Sequence, residues 1–125
     1  MRARACLQPG QPGISEGIRL TRIVDRYLEH GRVFIFNNNN AELFYLGSAD
    51  WMNRNIYTRI EVCFPVYDTD IQQELRHMMD LQLADNVQAV SLNADLQNIR
   101  VPATGAPIRS QEAIYAFVKS LAQPQ

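Results

Sequence analysis

Residues 30 to 55 read HGRVFIFNNNNAELFYLGSADWMNRN, and the rest of the chain reads as support for this stretch. His30 and Arg32 stand two apart at the head of an apolar run, so an extended backbone points both side chains to one face. The run stops at Asn37 to Asn40, residues that tolerate left-handed backbone and make good turns. A second apolar run, Glu42 to Leu46, leads into Gly47-Ser48-Ala49-Asp50-Trp51, where small residues permit close approach by a ligand or another backbone. The pattern predicts a hairpin that closes to bring the Gly-Ser turn back near the histidine.

Upstream of this stretch, residues 2 to 8 (RARACLQ) alternate charged with small or apolar side chains and read as a short strand. A first strand beginning at residue 2 suggests a piece of a longer polypeptide, because a core element usually has some chain to spare before it. Pro9 to Gly17 holds two Pro-Gly pairs and is a loop. Ile18 to Val24 alternates as a second strand, and Asp25 to Glu29 is expected to form a single helical turn.

Downstream, MNRNIY has no clear period and is expected to be an irregular loop. Arg59 to Val66 reads as a strand ended by Pro65 and Asp68, its apolar density suggesting a central position. Asp68 or Thr69 is a good N-cap for a helix from Asp70 to about Ala84, on which Ile71, Leu75, Met78, Met79, Leu81 and Leu83 recur at helical spacing. His77 is expected to face solvent on that helix. Val87 to Leu92 is read as a short edge strand and Asn93 to Ile108 as loop. Arg109 or Ser110 opens a closing amphipathic helix with Ala113, Ile114, Phe117, Val118 and Leu121 on one face. The pattern sums to an α/β or α+β layer domain.

With 125 residues and 46% hydrophobic content, the chain forms one domain with a modest core. No apolar run approaches the roughly 20 residues that span a bilayer, and no apolar signal core opens the chain. The expectation is a cytoplasmic protein. Cys6 and Cys63 lie far apart without metal-ligand spacing, so both are expected to be buried free thiols. The net charge of −1 conceals an asymmetry. Residues 1 to 60 carry eight arginines against five acids, giving +3, and residues 61 to 125 carry four basic groups against eight acids, giving −4. Eleven of the twelve basic residues are arginine, whose planar fork suits phosphate or carboxylate oxygens, although GC-rich coding would give the same bias. The positive half holds the His30 hairpin, which favours an anionic ligand there.

A histidine followed two residues later by a cation at the lip of a strand suits phosphoryl chemistry. Imidazole can act as nucleophile, acid or hydrogen-bond donor near neutral pH, and arginine can neutralise the oxygens of the transferring group. A histidine that merely caps a turn is the plainer reading of the same residue.

His30, Arg32 and Asn37 fall at the offsets of the phospholipase D signature, His-x-Lys, four residues, Asp, and Gly47-Ser48-Ala49-Asp50 resembles the Gly-Ser-x-Asn turn of that superfamily. Arginine for lysine keeps the cation, whereas asparagine for aspartate loses the acid. The runs GISEGIRLTRIVDRYLEHGRVFIF, LGSADWMNRNIYTRIEVCFPV and VPATGAPIRSQEAIYAFVKSLAQ resemble, more narrowly, the final domain of the bacterial polyphosphate kinases of the first type. The resemblance covers essentially the whole chain.

It implies a phospholipase D-like α/β (α+β) domain, with a mixed sheet flanked by helices, spanning residues 1 to 125. It also implies one half-site of an ATP:polyphosphate phosphotransferase that reversibly moves the terminal phosphate of ATP onto inorganic polyphosphate. By the same resemblance, His30 contacts the nucleotide phosphates and assists transfer. Arg2 matches a nucleotide-binding arginine, with Arg4 as the fallback, and Arg32 joins the phosphate-binding set. Ser48, Asp50, Arg54 and Arg59 match the family's motif with phosphate contact and structural support both open. The phosphorylated histidine, the magnesium-linked arginines and the adenine-contacting residues belong to preceding domains in this family. ATP and Mg²⁺ are therefore expected in the full-length enzyme, with no metal ligand in this chain, and the domain alone is expected to be inactive. Expected partners are the remaining domains, ATP or ADP and polyphosphate, not nucleic acid, while homo-oligomerisation and membrane association stay open. Two other readings are kept: a non-catalytic polyphosphate or nucleotide-binding module, and a phospholipase D-like phosphodiesterase.

Overall fold

The computed structural model describes residues 8–122. The chain divides into two compact units: residues up to Tyr27 together with those from Met78 onward, and Leu28–His77. The strand expected at residues 2 to 8, with Arg2, Arg4 and Cys6, lies outside the described residues up to residue 7.

In the unit Leu28–His77, strands β2 (Val33–Phe36), β3 (Leu43–Gly47) and β4 (Cys63–Val66) form an antiparallel sheet in the order β2-β3-β4. The hairpin is the one the sequence predicts: Val33 pairs with Leu46 and Phe36 with Leu43. Its tip is a short 3₁₀ turn, Asn38–Asn40, in which the Asn37 side chain accepts from the Asn40 amide at 3.2 Å. Asn39 and Asn40 have φ of 50° and 65°, the left-handed backbone that asparagine tolerates better than most residues.

Directly opposed residues of an antiparallel pair share a face. The register therefore puts Phe34, Phe36, Leu43, Tyr45 and Pro65 on one face and Val33, Ile35, Phe44, Leu46, Phe64 and Val66 on the other. Both faces are apolar. Phe44 and Val66 are buried, and the Arg76 guanidinium lies 5.6 Å over the Phe44 ring. On the opposite face Phe34 stacks on Trp51 and Phe36 meets Tyr45 edge-on.

The central position expected for β4 is not observed, since β3 is central and β4 lies at the edge. Apolar density reported a strand that is apolar on both faces, not its place in the ladder. Pro65 is compatible only with the edge. The Ser48 amide bonds the Val62 carbonyl at 2.9 Å, which makes Gly47–Cys63, and two residues on Tyr45–Pro65, non-hydrogen-bonded pairs. The proline nitrogen thus faces the outer rim, where no ladder bond is lost. Cys63, expected to be buried, is exposed.

The segment after Trp51, expected to be irregular, is a helix, α1 (Asn53–Thr58). Its signal is local: Asn55 is buried, and the Thr58 hydroxyl donates back to the Arg54 carbonyl at 2.7 Å. Helix α2 (Thr69–Leu83) forms as predicted. The Asp68 carboxylate accepts from the amides of Asp70 (2.9 Å) and Ile71 (3.2 Å), and Asp70 suits the positive end of the helix dipole. Residues of α2 through His77 belong to this unit and those from Met78 to the other. His77 is exposed, as expected.

The other unit holds a second antiparallel sheet, ordered β1 (Leu20–Ile23), β5 (Ala89–Leu92), β6 (Asn98–Arg100), and helix α3 (Ser110–Leu121). β5 is therefore central and not the edge strand expected. The missed partner is β6, three exposed residues inside the segment read as loop, too short and too polar to show a period. Asp25 to Glu29 forms no helical turn. Its polar groups bind α3 and its N-cap residue instead: Arg109 Nε donates to Asp25 Oδ2 at 2.8 Å and Arg109 Nη2 to Oδ1 at 2.5 Å, while the Tyr27 amide and carbonyl both bond the Gln111 side chain. Asp85 anchors the start of α3: Oδ2 accepts from the Ser110 amide and hydroxyl, both at 2.8 Å. The α+β expectation stands, with the strands divided between two antiparallel sheets in place of one mixed sheet.

Candidate functional site

His30 lies in an exposed loop just ahead of β2, so neither it nor Arg32 belongs to the strand itself. Arg32 Nη1 donates to the His30 carbonyl at 2.9 Å. On its other side the guanidinium meets Asp50 Oδ1, from Nε at 2.9 Å and from Nη2 at 2.8 Å. The Gly47 amide donates to the Arg32 carbonyl at 3.0 Å. The hairpin thus returns the Gly-Ser turn to the histidine segment as the sequence reading required, and Arg32 is the joint between them.

Gly47 sits where a side chain would be tightly packed. A Cβ there would approach Phe34 Cε2 to 3.0 Å, with the Val62 carbonyl and Cys63 sulfur also close. Ser48 then braces the turn: its hydroxyl donates to Glu61 Oε2 and accepts from the Val62 amide at 3.1 Å. Asn55, buried at the start of α1, donates from Nδ2 to Glu61 Oε1 at 2.7 Å, and its Oδ1 is buried without a hydrogen-bond partner. Hydrogen bonds from Ser48, then Asn55, hold the Glu61 carboxyl below the usual carboxylate range, with Arg59 and Arg32 adding a smaller electrostatic pull and burial opposing.

Glu61 and Asn55 were not among the residues the sequence reading singled out. A charged residue inside the apolar run RIEVCFPV was the available signal, because such a group needs partners wherever it is drawn out of water. Asn37, at the position where the phospholipase D signature carries its acid, is occupied in capping the hairpin tip. Arg54 and Arg59 are exposed.

Arginine has five N–H donors. Hydrogen bonds to Asp50 and His30 engage Nε and one hydrogen of Nη1, and Nη2 is ion-paired to the same Asp50 oxygen at 2.8 Å, so each Nη keeps at least one hydrogen to offer. With its side chain 21% exposed, Arg32 is both anchored and able to offer two donors to an oxyanion. Among the described residues no group of three or more His, Cys, Asp or Glu side chains could hold a metal ion, and no helix is long and apolar enough to cross a membrane.

The family model described as polyphosphate kinase C-terminal domain 2 matches residues 1–111. The chain belongs to the polyphosphate kinase family. It is 44% identical over 126 residues to the polyphosphate kinase of Escherichia coli K12, covering 100% of this chain and 18% of that protein. The Klebsiella pneumoniae polyphosphate kinase is 44% identical over 99% of the chain, again 18% of its own length. The fold is similar to a crystal structure of polyphosphate kinase from Porphyromonas gingivalis, with a TM-score of 0.88 and 42% identity over 94% of this chain and 18% of that one. The chain thus spans about a fifth of each of these three polyphosphate kinases, 18% of their length, and the His30 hairpin lies wholly within the region that the family model matches.

Proposed function

We propose that residues 1 to 125 are the C-terminal catalytic domain of a polyphosphate kinase that reversibly transfers the terminal phosphate of ATP to inorganic polyphosphate. The family match over residues 1–111 carries this reading, and the geometry around His30 fits it. The imidazole is exposed while its backbone is held, a suitable state for a group that must meet an incoming phosphate and donate or accept a proton there. Arg32 presents two remaining N–H groups beside it, suited to oxygens that gain charge during transfer. Arg2 is assigned by family resemblance to the nucleotide.

In this reading the phosphorylated histidine and the groups that hold Mg²⁺ belong to polypeptide outside this chain. Magnesium would neutralise charge on the ATP phosphates, and no step assigned to His30 or Arg32 depends on holding it. A half-site without its partner cannot fix both reacting groups, so residues 1 to 125 alone are expected to be inactive. The working partners are the preceding domains, ATP or ADP and polyphosphate, and the working compartment is the cytoplasm. The hydrogen bond that commits Asn37 to the hairpin tip weighs against a free-standing phospholipase D-like phosphodiesterase.

The test is polyphosphate synthesis from ATP by the full-length polypeptide. His30→Ala is expected to lower the rate by at least about 100-fold, the scale of a lost general acid or base. Synthesis at the parental rate by folded His30→Ala enzyme would remove His30 from the reaction.

A further inference from the structure

We propose that Asp50 is a positioning residue for the His30 segment, acting through Arg32. The inference rests on the role given to His30 above. His30 and Gly31 precede the first ladder residue of β2, so the sheet does not fix their backbone. Among the described residues, the hydrogen bond that holds the His30 backbone is the one from Arg32 Nη1 to its carbonyl. That donor is itself aimed by Asp50. Because Nε and Nη2 both lie against Asp50 Oδ1, at 2.9 and 2.8 Å, the pair sets the orientation of the planar guanidinium, and the direction of Nη1 follows.

Asp50 is in turn mounted on a turn that does not move freely. Ser48, two residues earlier, bonds both the Val62 backbone and Glu61, and buried Asn55 bonds the same carboxylate. The mechanical order runs from Glu61 through the Gly-Ser turn to Asp50, then to Arg32, then to the His30 carbonyl. Asp50 need not touch a phosphate to affect transfer. Its side chain is 42% exposed and carries like charge to the substrate, so its position is better suited to aiming Arg32 than to binding polyphosphate.

Asp50→Ala and Asp50→Asn in the full-length polypeptide test this, with His30→Ala assayed in parallel. A 1 Å displacement of a reacting group can cost about 100-fold, so Asp50→Ala is expected to lower kcat by about 10- to 100-fold with KM for ATP changed by less than about 3-fold. Asn at position 50 keeps an acceptor oxygen and is expected to recover most of the loss. Since Asp50 acts through Arg32, adding Asp50→Ala to Arg32→Ala should lower kcat by less than about 2-fold more.

An Asp50→Ala enzyme with parental kcat, alongside a dead His30→Ala enzyme, overturns the positioning role and leaves the reading of His30 intact. Fully additive losses for Asp50→Ala and Arg32→Ala would likewise overturn it. An active His30→Ala enzyme would defeat the underlying reading first. Should Asp50→Ala fold poorly, Asp50→Asn decides: equal and large kcat losses in Asn and Ala, per folded molecule, exclude a role through hydrogen-bond geometry.

Discussion

Asp85 and Asp50 are both aspartates that gather donors from other parts of the chain, yet they are used in opposite ways. Asp85 is 1% exposed, and its two oxygens accept five hydrogen bonds: Oδ1 from the amides of Val87, Gln88 and Ala89, and Oδ2 from the amide and hydroxyl of Ser110. Burial pushes its pKa up, but the bonds from Ser110, Gln88 and Ala89 together outweigh it, and the carboxyl titrates below the usual range. Asp50 sits half in water and holds one arginine whose donors are not all used. A carboxylate that is buried and saturated is architecture, because nothing can approach it. A wet pair with donors to spare can both hold a backbone and receive a ligand.

The comparison predicts a large difference in stability. Asp85→Ala strands a buried hydroxyl and four backbone amides and should lower unfolding free energy by about 3 kcal/mol or more, whereas Asp50→Ala should change it by less than about 1 kcal/mol. Urea unfolding of both variants measures this, and equal losses would erase the distinction. A sharper form uses pH. Asp85 and Asp25 both have depressed pKa values in the fold, Asp25 chiefly through its hydrogen bonds from Arg109. Their stabilising contribution is therefore complete above the unfolded value of 3.8 and disappears as pH falls through the lower folded values. Thermal midpoints followed downward in pH should show an acid limb below about 4 that Asp85→Asn makes shallower, and a limb of unchanged slope in that variant would remove Asp85 as its source. The smallest effect belongs to an exposed pair with no further duty. Arg76 and Glu42 form an ion pair with side chains 34% and 40% exposed, and Arg76→Ala should cost no more than about 1 kcal/mol, part of it from the lost contact with Phe44.

How much of this was legible in the sequence depended on the range over which each signal acts. The hairpin was readable because its turn chemistry is carried by four adjacent asparagines, α2 because its cap and its period are both local, and α3 by its period alone, since its start is anchored by Asp85 from 25 residues away. The position of β4 in its sheet was not readable, since VFIF, LFYLG and CFPV are apolar on both faces and alternation gives no direction. The Asp25–Glu29 segment satisfies its polar groups on residues 84 positions away, a partnership no local window reveals. At the candidate site, the offsets of His30, Arg32 and Gly47-Ser48 were visible. That Asp50 faces Arg32, and that Ser48 and Asn55 converge on Glu61, required the hairpin to be closed in space.

Pro65 has a consequence for how this chain behaves in company. A three-stranded sheet that is apolar on both faces invites a fourth strand from a neighbouring molecule, and its rim is where growth into fibrils would begin. At that rim β4 is only four residues long and one of them has no hydrogen to give, so a strand approaching from another copy meets a broken row of donors. Along the β4 rim, though not along the β2 rim, that one residue works against the sheet's propagating itself.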